Sequence, residues 1–330
     1  MTPLPMKAQT GSSVWSTHPA RLWRRRFAVI IVLFLAVCSI VMAGPVGTAS
    51  AAPPGKVVDT SHRHTPVILV HGFQPRQVPS LSPALAFSNP LGFKIPGAWT
   101  PELVTKWNET YGGGNTWNAL IKFFKEKGYN DQELIVFNYD TSQPNFDTAQ
   151  KLFNVIVNVY DSFGAQKVDL VTHSMGALPA RLALASLAYS KTPRVENFVS
   201  LAGPNHGTDT AKLCPYPSCR DMERNSNFLR LLAALNKNLG ITDGTETPGP
   251  VHYYTFHSAE AVDSSGRSVG SCDKVVRDGV QLRGAINFEL PCSPGGSSWR
   301  GLNWPFVGDH LNIVNSPGVF QEIYNLLNPN

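Results

Sequence analysis

Short apolar runs alternate with longer amphipathic stretches from residue 66 to the end of the chain. The apolar runs have the length and composition of buried strands, whereas the stretches between them place apolar residues at helical spacing. Strands that alternate with helices predict an α/β fold with a mostly parallel sheet covered by helices on both faces. The predicted strands span residues 66–70, 133–140, 167–171, 195–202, 251–257 and 285–290, and the predicted helices span 116–127, 147–163, 175–190, 227–236 and 317–327.

The third predicted strand runs directly into His173-Ser174-Met175-Gly176, and a helix-forming segment follows. A serine on a sharp turn between a strand and a helix has the layout of a nucleophile elbow. Thr172 stands where the usual G-x-S-x-G pattern has its first glycine. We therefore predict that Ser174 is a nucleophile, and the alternative is an ordinary buried serine in a strand-to-helix turn.

A serine hydroxyl needs a base to take its proton, and that base is normally a histidine oriented by a carboxylate. In a fold of this kind the order along the chain is serine, acid, histidine. His310 follows the last predicted strand and is the candidate base. The candidate acids after the fifth predicted strand are Glu260, Asp263 and Asp273.

Two backbone N–H groups are candidates for an oxyanion hole. One belongs to Met175, the residue after the candidate nucleophile, and the other to Phe73 in the loop after the first predicted strand. Gly72 precedes Phe73 and allows the backbone to approach closely.

Residues 1–51 have the pattern of a signal peptide. Four arginines precede an uninterrupted apolar and small-residue run at 27–44, and Ala49-Ser50-Ala51 supplies a cleavage signal. The mature chain, residues 52–330, is then one α/β domain. An uncleaved membrane anchor is the alternative, because the apolar run is just long enough to span a bilayer.

Removing this segment changes the charge of the chain. Of its 28 basic residues, five lie in residues 1–51, which contain no acidic residue, so the remainder carries 23 basic and 23 acidic residues. The surplus positive charge belongs to the export signal, and nothing in the balance indicates a nucleic-acid partner.

Four of the five cysteines follow the predicted signal peptide, and an even number in an exported chain suggests disulfides. Among the three possible pairings, the most local joins Cys214 with Cys219 and Cys272 with Cys292. No cysteine and histidine spacing indicates a zinc site.

A long segment rich in proline and glycine, residues 74–114, interrupts the alternation of strands and helices. Loops of this length in a compact domain are usually functional or mobile. Its apolar residues between 81 and 99 either wall a pocket, as a lid or flap, or form a small core beneath the loop.

Five blocks of the sequence stand out together, namely Val70–Phe73, Val168–Gly176, Leu201–Thr208, Ser271–Leu290 and Gly308–Leu311. In combination they resemble the secreted bacterial class 2 lipases. The resemblance implies the α/β-hydrolase fold, cleavage of carboxylic esters, no cofactor, and Asp273 as the acid of a Ser-His-Asp triad.

The expected substrates are glycerides or other esters with apolar acyl chains, met singly or at a lipid–water interface. Acyl transfer and polyester hydrolysis would use the same triad. A hydrolase-fold binding protein that has lost activity is the alternative from another functional class. The sequence leaves the oligomeric state open.

Overall fold

The computed structural model describes residues 64–74, 116–163, 167–191, 194–241, 243–262, 265–293, 298–299, 302–303 and 309–329. The chain forms two units, Met1–Val57 and Val58–Asn330, and every element described below belongs to the second. The predicted signal peptide, residues 1–51, lies outside the described residues. So does the predicted insertion at 74–114, except for Gln74.

A six-stranded sheet in which every pair of neighbours is parallel forms the centre of the second unit. Its strands are β1 (Val67–Val70), β2 (Leu134–Phe137), β3 (Val168–His173), β4 (Val195–Leu201), β5 (His252–Ser258) and β8 (Ile286–Leu290). Two separate antiparallel pairs are formed by β6 (Glu260–Val262) with β7 (Ser268–Ser271) and by β9 (Ser298–Trp299) with β10 (Leu302–Asn303). The order across the sheet is β2-β1-β3-β4-β5-β8, which places β3 in the interior.

Helices cover both faces of this sheet, which confirms the predicted α/β architecture. The helices are α1 (Asn118–Glu126), α2 (Asn145–Phe163), α3 (Ala177–Tyr189), α4 (Pro217–Met222), α5 (Asn227–Asn238) and α6 (Pro317–Leu327). Apolar residues of α1 and α6 pack on one face of the sheet, and those of α2 and α3 pack on the other. All four residues of β1 are fully buried, as expected for a strand covered on both faces.

The sequence pattern did not predict the short helix α4 or the antiparallel hairpins β9–β10 and β6–β7. The second of these hairpins pairs Glu260–Val262 with Ser268–Ser271. Seven positions form this hairpin, and β7 is exposed except at Ser271, so no burial pattern signals its strands. None of the helices in the described residues combines the length and hydropathy needed to span a membrane.

Candidate active site

Ser174 lies on the sharp turn between β3 and α3. Its φ angle is +51°, in the left-handed region that residues other than glycine rarely occupy. Ser174–Gly176 form one turn of 3-10 helix, which continues directly into α3. A serine held in this way points its hydroxyl away from the neighbouring backbone, which is the geometry of a nucleophile elbow.

Two glycines are required where the elbow meets the end of β1. A Cβ atom on Gly176 would lie 2.6 Å from the His71 carbonyl oxygen and 2.7 Å from that of Val70. A Cβ atom on Gly72 would lie 2.7 Å from the Ser174 Cβ. All three distances are too short for a real contact, so the two loops can approach this closely because positions 72 and 176 carry no side chain.

Thr172 replaces the first glycine of the usual elbow pattern without disturbing the turn. Its side chain is fully buried, and its hydroxyl donates a hydrogen bond of 3.0 Å to the carbonyl oxygen of Val199 on β4. The polar atom that a threonine brings into the sheet is therefore satisfied. This contact explains how the elbow accommodates a larger residue at the end of β3.

Ser174, His310 and Asp273 form a continuous chain of hydrogen-bonded groups. The Ser174 Oγ lies 2.8 Å from His310 Nε2, and His310 Nδ1 lies 2.8 Å from Asp273 Oδ2. All three residues are buried, with exposed fractions of 7%, 4% and 1%. Because Nδ1 faces a carboxylate, the neutral ring carries its proton there, which leaves Nε2 free to accept the serine proton.

The second carboxylate oxygen of Asp273 is also satisfied. Oδ1 accepts backbone N–H groups from Val275 and Val276, each at 2.8 Å. The Asp273 N–H itself donates to the Ser271 hydroxyl at 3.2 Å. These bonds hold one carboxylate edge against the backbone and turn the other towards His310.

Glu260 and Asp263 are the other two candidate acids. Glu260 is exposed on β6 and accepts a hydrogen bond from the Ser268 hydroxyl across the hairpin. Asp263 lies outside the described residues. Of the three candidates, Asp273 is the one whose described contacts include His310.

The residues that precede the base and the acid are joined to each other. The Asp309 N–H donates to the Cys272 carbonyl oxygen at 3.1 Å, next to the contact between His310 and Asp273. The loop that contains His310 is thus joined to the loop that contains Asp273 by a backbone hydrogen bond.

Both predicted disulfides are present. Cys272 is linked to Cys292, and Cys214 is linked to Cys219.

Cys272, Cys292 and Asp309 are also the one group among the described residues with the spacing of metal ligands, within 4.8 Å of one another. The two sulfurs are joined in the disulfide, and thiolates rather than disulfides bind metals. The Asp309 carboxylate accepts hydrogen bonds from the Ser293 N–H and the Asn312 side chain. We therefore interpret these three residues as a structural cross-link and not as a metal site.

His173 connects the elbow to the loop of the base. Its Nε2 lies 2.9 Å from the carbonyl oxygen of His310, so the ring carries a proton on Nε2 and donates it. Burial, and next the charge of nearby His310, lower the pKa of His173 to about 3. A ring that stays neutral at physiological pH adds no positive charge beside His310 when that residue accepts a proton.

Phe73 and Met175 lie on the two loops that meet at Ser174. Met175 is the second residue of the 3-10 turn that begins at Ser174, and the first backbone N–H groups of a helical turn have no acceptor within it. Phe73 follows Gly72, whose backbone lies against Ser174. Each of the two residues is therefore next to a residue that is, or directly contacts, Ser174.

The sequence pattern does not assign a role to His173, Ser271 or Asp309. Each acts through a contact with a backbone group that is distant in sequence or through a local turn, and such contacts leave no periodic signal. The one available hint was position, since all three immediately flank a candidate catalytic residue or lie two positions from one.

The chain is similar at low identity to solved structures that include a lipase and a carboxyl esterase. The lipase BlEst2 of Bacillus licheniformis, in its mature form, is 15% identical, with 85% of this chain and 96% of that chain covered at a TM-score of 0.49. The metagenomic carboxyl esterase MGS0156 is 14% identical, with 86% and 81% covered at a TM-score of 0.45. The lin2722 gene product of Listeria innocua is 14% identical, with 81% and 95% covered at a TM-score of 0.44.

The sequence profile of one family, the class 2 lipases, matches residues 64–241, which is more than half of the chain. The matched region runs from the residues before β1 to the end of α5 and contains the elbow with Ser174. The chain belongs to the class 2 lipase family, and it is a carboxylic ester hydrolase with the α/β-hydrolase fold.

Proposed function

We propose that this chain is an exported lipase or esterase that hydrolyses carboxylic esters through Ser174, His310 and Asp273. The observation that carries the proposal is the buried hydrogen-bond chain from the Ser174 hydroxyl through His310 to Asp273, with both contacts at 2.8 Å. Membership of the class 2 lipases supplies the substrate class, because that family acts on esters.

In the acylation step the Ser174 Oγ attacks the ester carbonyl carbon while His310 Nε2 takes the hydroxyl proton. The carbonyl oxygen becomes an oxyanion, and the N–H groups of Phe73 and Met175 donate to it. His310 then returns its proton to the departing alkoxide, which leaves as an alcohol, and Ser174 remains acylated. Asp273 holds the ring of His310 in the required tautomer and stabilises its charged form.

In the deacylation step a water molecule attacks the acyl-enzyme, and His310 takes a proton from that water. The Ser174–acyl bond breaks, the proton passes to the serine oxygen, and the carboxylic acid leaves. No cofactor is required by this sequence of steps, because each proton removed from a nucleophile is returned to a leaving group.

The substrates that we propose are glycerides or other esters with apolar acyl chains. The family match and the apolar composition of residues 81–99 support this preference. A series of p-nitrophenyl esters of increasing acyl length, assayed below and above substrate solubility, tests it. Equal kcat/KM for acetyl and long-chain esters would argue against an apolar acyl site.

Export is supported by the leader pattern of residues 1–51 and by the two disulfides, which form in oxidising compartments. Mass spectrometry of the protein recovered from the culture medium is expected to give an N-terminus near Ala52. A full-length chain retained with the cells would contradict this part of the proposal.

A fluorophosphonate probe tests the nucleophile directly. Wild-type protein is expected to be labelled at Ser174, and Ser174→Ala is expected to lose labelling and about 10⁴- to 10⁶-fold of its ester hydrolysis. Ser186→Ala is the matched control, since Ser186 is a buried serine on α3 whose hydroxyl donates only to the helix backbone. Absence of labelling in the wild type, or equal labelling of Ser174→Ala, would refute the proposed function.

A further inference from the structure

One buried threonine binds the backbone of the residue that follows Phe73. The Gln74 N–H donates to the Thr141 Oγ1 at 3.2 Å, and the same hydroxyl donates back to the Gln74 carbonyl oxygen at 2.9 Å. Thr141 follows β2 and is 1% exposed. A single side chain thus binds both polar backbone groups of the residue after Phe73.

Because peptide units are planar, these two bonds fix the orientation of two successive peptides. The Gln74 N–H belongs to the peptide between Phe73 and Gln74, and the Gln74 carbonyl belongs to the peptide that follows. The preceding peptide, which contains the Phe73 N–H, is held by the His71 side chain, whose Nδ1 donates to the Gly72 carbonyl oxygen at 2.8 Å. In a trans peptide this carbonyl and the Phe73 N–H point in opposite directions.

Both anchors lead to the segment that follows β2. The His71 ring stacks on the Tyr139 ring, with 4.4 Å between centroids, and the Tyr139 hydroxyl donates to the His71 carbonyl oxygen at 2.7 Å. Thr141 lies two residues further along this segment and binds the backbone of Gln74 directly. Thr141 is therefore the anchor that holds the peptides immediately after Phe73.

The backbone of Thr141 is in turn hydrogen-bonded by further buried polar groups. The Ser218 hydroxyl donates to the Thr141 carbonyl oxygen at 2.5 Å, and the Asn145 side chain donates to the Ser218 carbonyl oxygen at 3.0 Å. Both residues are 0% exposed. These bonds join Thr141 to the segment of Ser218, although the Asn145 Oδ1 has no hydrogen-bond partner among the described residues.

The loop closed by the Cys214–Cys219 disulfide contacts the same region a second time. Its Tyr216 ring lies 6.1 Å from the Phe73 ring, centroid to centroid. Ser218 belongs to this loop as well. The same disulfide-closed segment therefore contacts the Phe73 side chain through Tyr216 and supports the Gln74 backbone through Thr141.

We propose that Thr141 is a positioning residue that sets the backbone N–H of Phe73 for the oxyanion, an inference that rests on the function proposed above. Thr141 touches neither substrate nor the reacting atoms, and it acts through the backbone of Gln74. Its contribution is to the tetrahedral intermediate, whose negative oxygen is stabilised by donors that are already in place.

The test compares Thr141→Val with wild type in ester hydrolysis, with rates expressed per fluorophosphonate-labelled site so that unfolded protein does not count. Valine keeps the shape of threonine and removes both bonds to Gln74. We expect kcat to fall about 10- to 100-fold with KM nearly unchanged, since a misplaced donor affects the transition state alone. Thr141→Ser, which restores the hydroxyl, is expected to recover most of the rate.

A second readout separates positioning from a general structural defect. An alkylboronic acid forms a tetrahedral adduct with the serine, so its inhibition constant should rise in proportion to the loss of kcat. Thr255→Val is the matched control, because Thr255 is a fully buried threonine on β5 whose hydroxyl contacts Asn287. That variant is expected to keep the wild-type kcat and inhibition constant.

If Thr141→Val does not fold, Ser218→Ala carries the test, because it removes the bond behind Thr141 and leaves the threonine in place. It is expected to lower kcat about 2- to 10-fold in the same manner. A kcat within twofold of wild type in the folded variant, or a loss confined to KM, overturns the inference. An inactive, unlabelled wild type would instead refute the proposed function.

Discussion

Asp169 and Asp273 are two carboxyl groups that the fold buries at opposite ends of one strand. Asp169 lies near the start of β3 and is 0% exposed, whereas Asp273 lies near the other end, linked through His310 to the serine that follows β3, and is 1% exposed. Both accept two N–H groups on one oxygen, from Asn197 for Asp169 and from Val275 and Val276 for Asp273.

The difference lies in the second oxygen. Asp273 Oδ2 faces His310 at 2.8 Å, whereas Asp169 Oδ2 has no hydrogen-bond partner among the described residues. Burial raises the pKa of Asp169 to about 7, against an ordinary value of 3.8, despite the two bonds from Asn197. Burial alone therefore does not equip a carboxyl group for the role proposed for Asp273, because that role requires the second oxygen to meet a partner that can become positively charged.

The largest expected difference between the two carboxyls is in activity. Asp273→Asn should lower kcat by about 10³- to 10⁴-fold, because an amide no longer fixes the tautomer of His310 or stabilises its charged form. Asp169→Asn is the matched control, a buried aspartate changed in the same way, and should keep wild-type kcat. Hydrolysis of a p-nitrophenyl ester measures both, and similar losses in the two variants would remove the distinction.

The two carboxyls should also differ in how they affect stability as the pH changes. Since the folded pKa of Asp169 is raised, its contribution to the free energy of unfolding is fully present below about pH 4 and is lost as the pH rises through about 7. Relative to Asp169→Asn, the wild type should therefore lose roughly 2–3 kcal/mol between pH 5 and pH 8.

Urea denaturation of both proteins at several pH values, followed by tryptophan fluorescence, measures this difference. Asp131→Asn is the control for an exposed aspartate, because Asp131 is 84% exposed and pairs with Lys125 at the surface. Parallel stability curves for wild type and Asp169→Asn would show that Asp169 is ionised to the same extent in the folded and unfolded chains.

The smallest effect is expected where the backbone of Asp273 is held. Ser271→Ala removes the acceptor for the Asp273 N–H and should lower kcat about 2- to 10-fold, in line with the loss of one neutral hydrogen bond. Ser268→Ala on the same strand is the control, since Ser268 is exposed and contacts Glu260. If both variants match wild type in a kcat measurement, the two bonds to Asp273 Oδ1 are sufficient to hold the carboxylate.

The sequence predicted the six strands of the sheet and the long helices because burial on one or both faces leaves a repeating pattern. Hairpin β6–β7 left no such pattern, since its residues are largely exposed on both faces. The placement of Ser174 on a turn was predictable for the same local reason, from the strand before it and the helix after it.

The relations between distant parts of the chain were not predictable in this way. The bond from Asp309 to Cys272 spans 37 positions and that from Thr141 to Gln74 spans 67, and each depends on how loops meet after the sheet has formed. The sequence likewise left three candidate acids after β5, because the partner of a carboxylate in a loop is determined only by the position of that loop in the fold. Thr172 departs from the usual elbow pattern, and the hydrogen bond of its hydroxyl to the Val199 carbonyl oxygen exists only in the folded chain.

The left-handed backbone of Ser174 implies a trade-off between stability and function. A side chain at φ +51° costs on the order of 1–2 kcal/mol, whereas glycine adopts this conformation without steric penalty. The most stable form of this turn is thus expected to be one that lacks the reactive hydroxyl. Selection for folding alone would favour its loss, and the demand for a reaction is what would maintain a serine at this position.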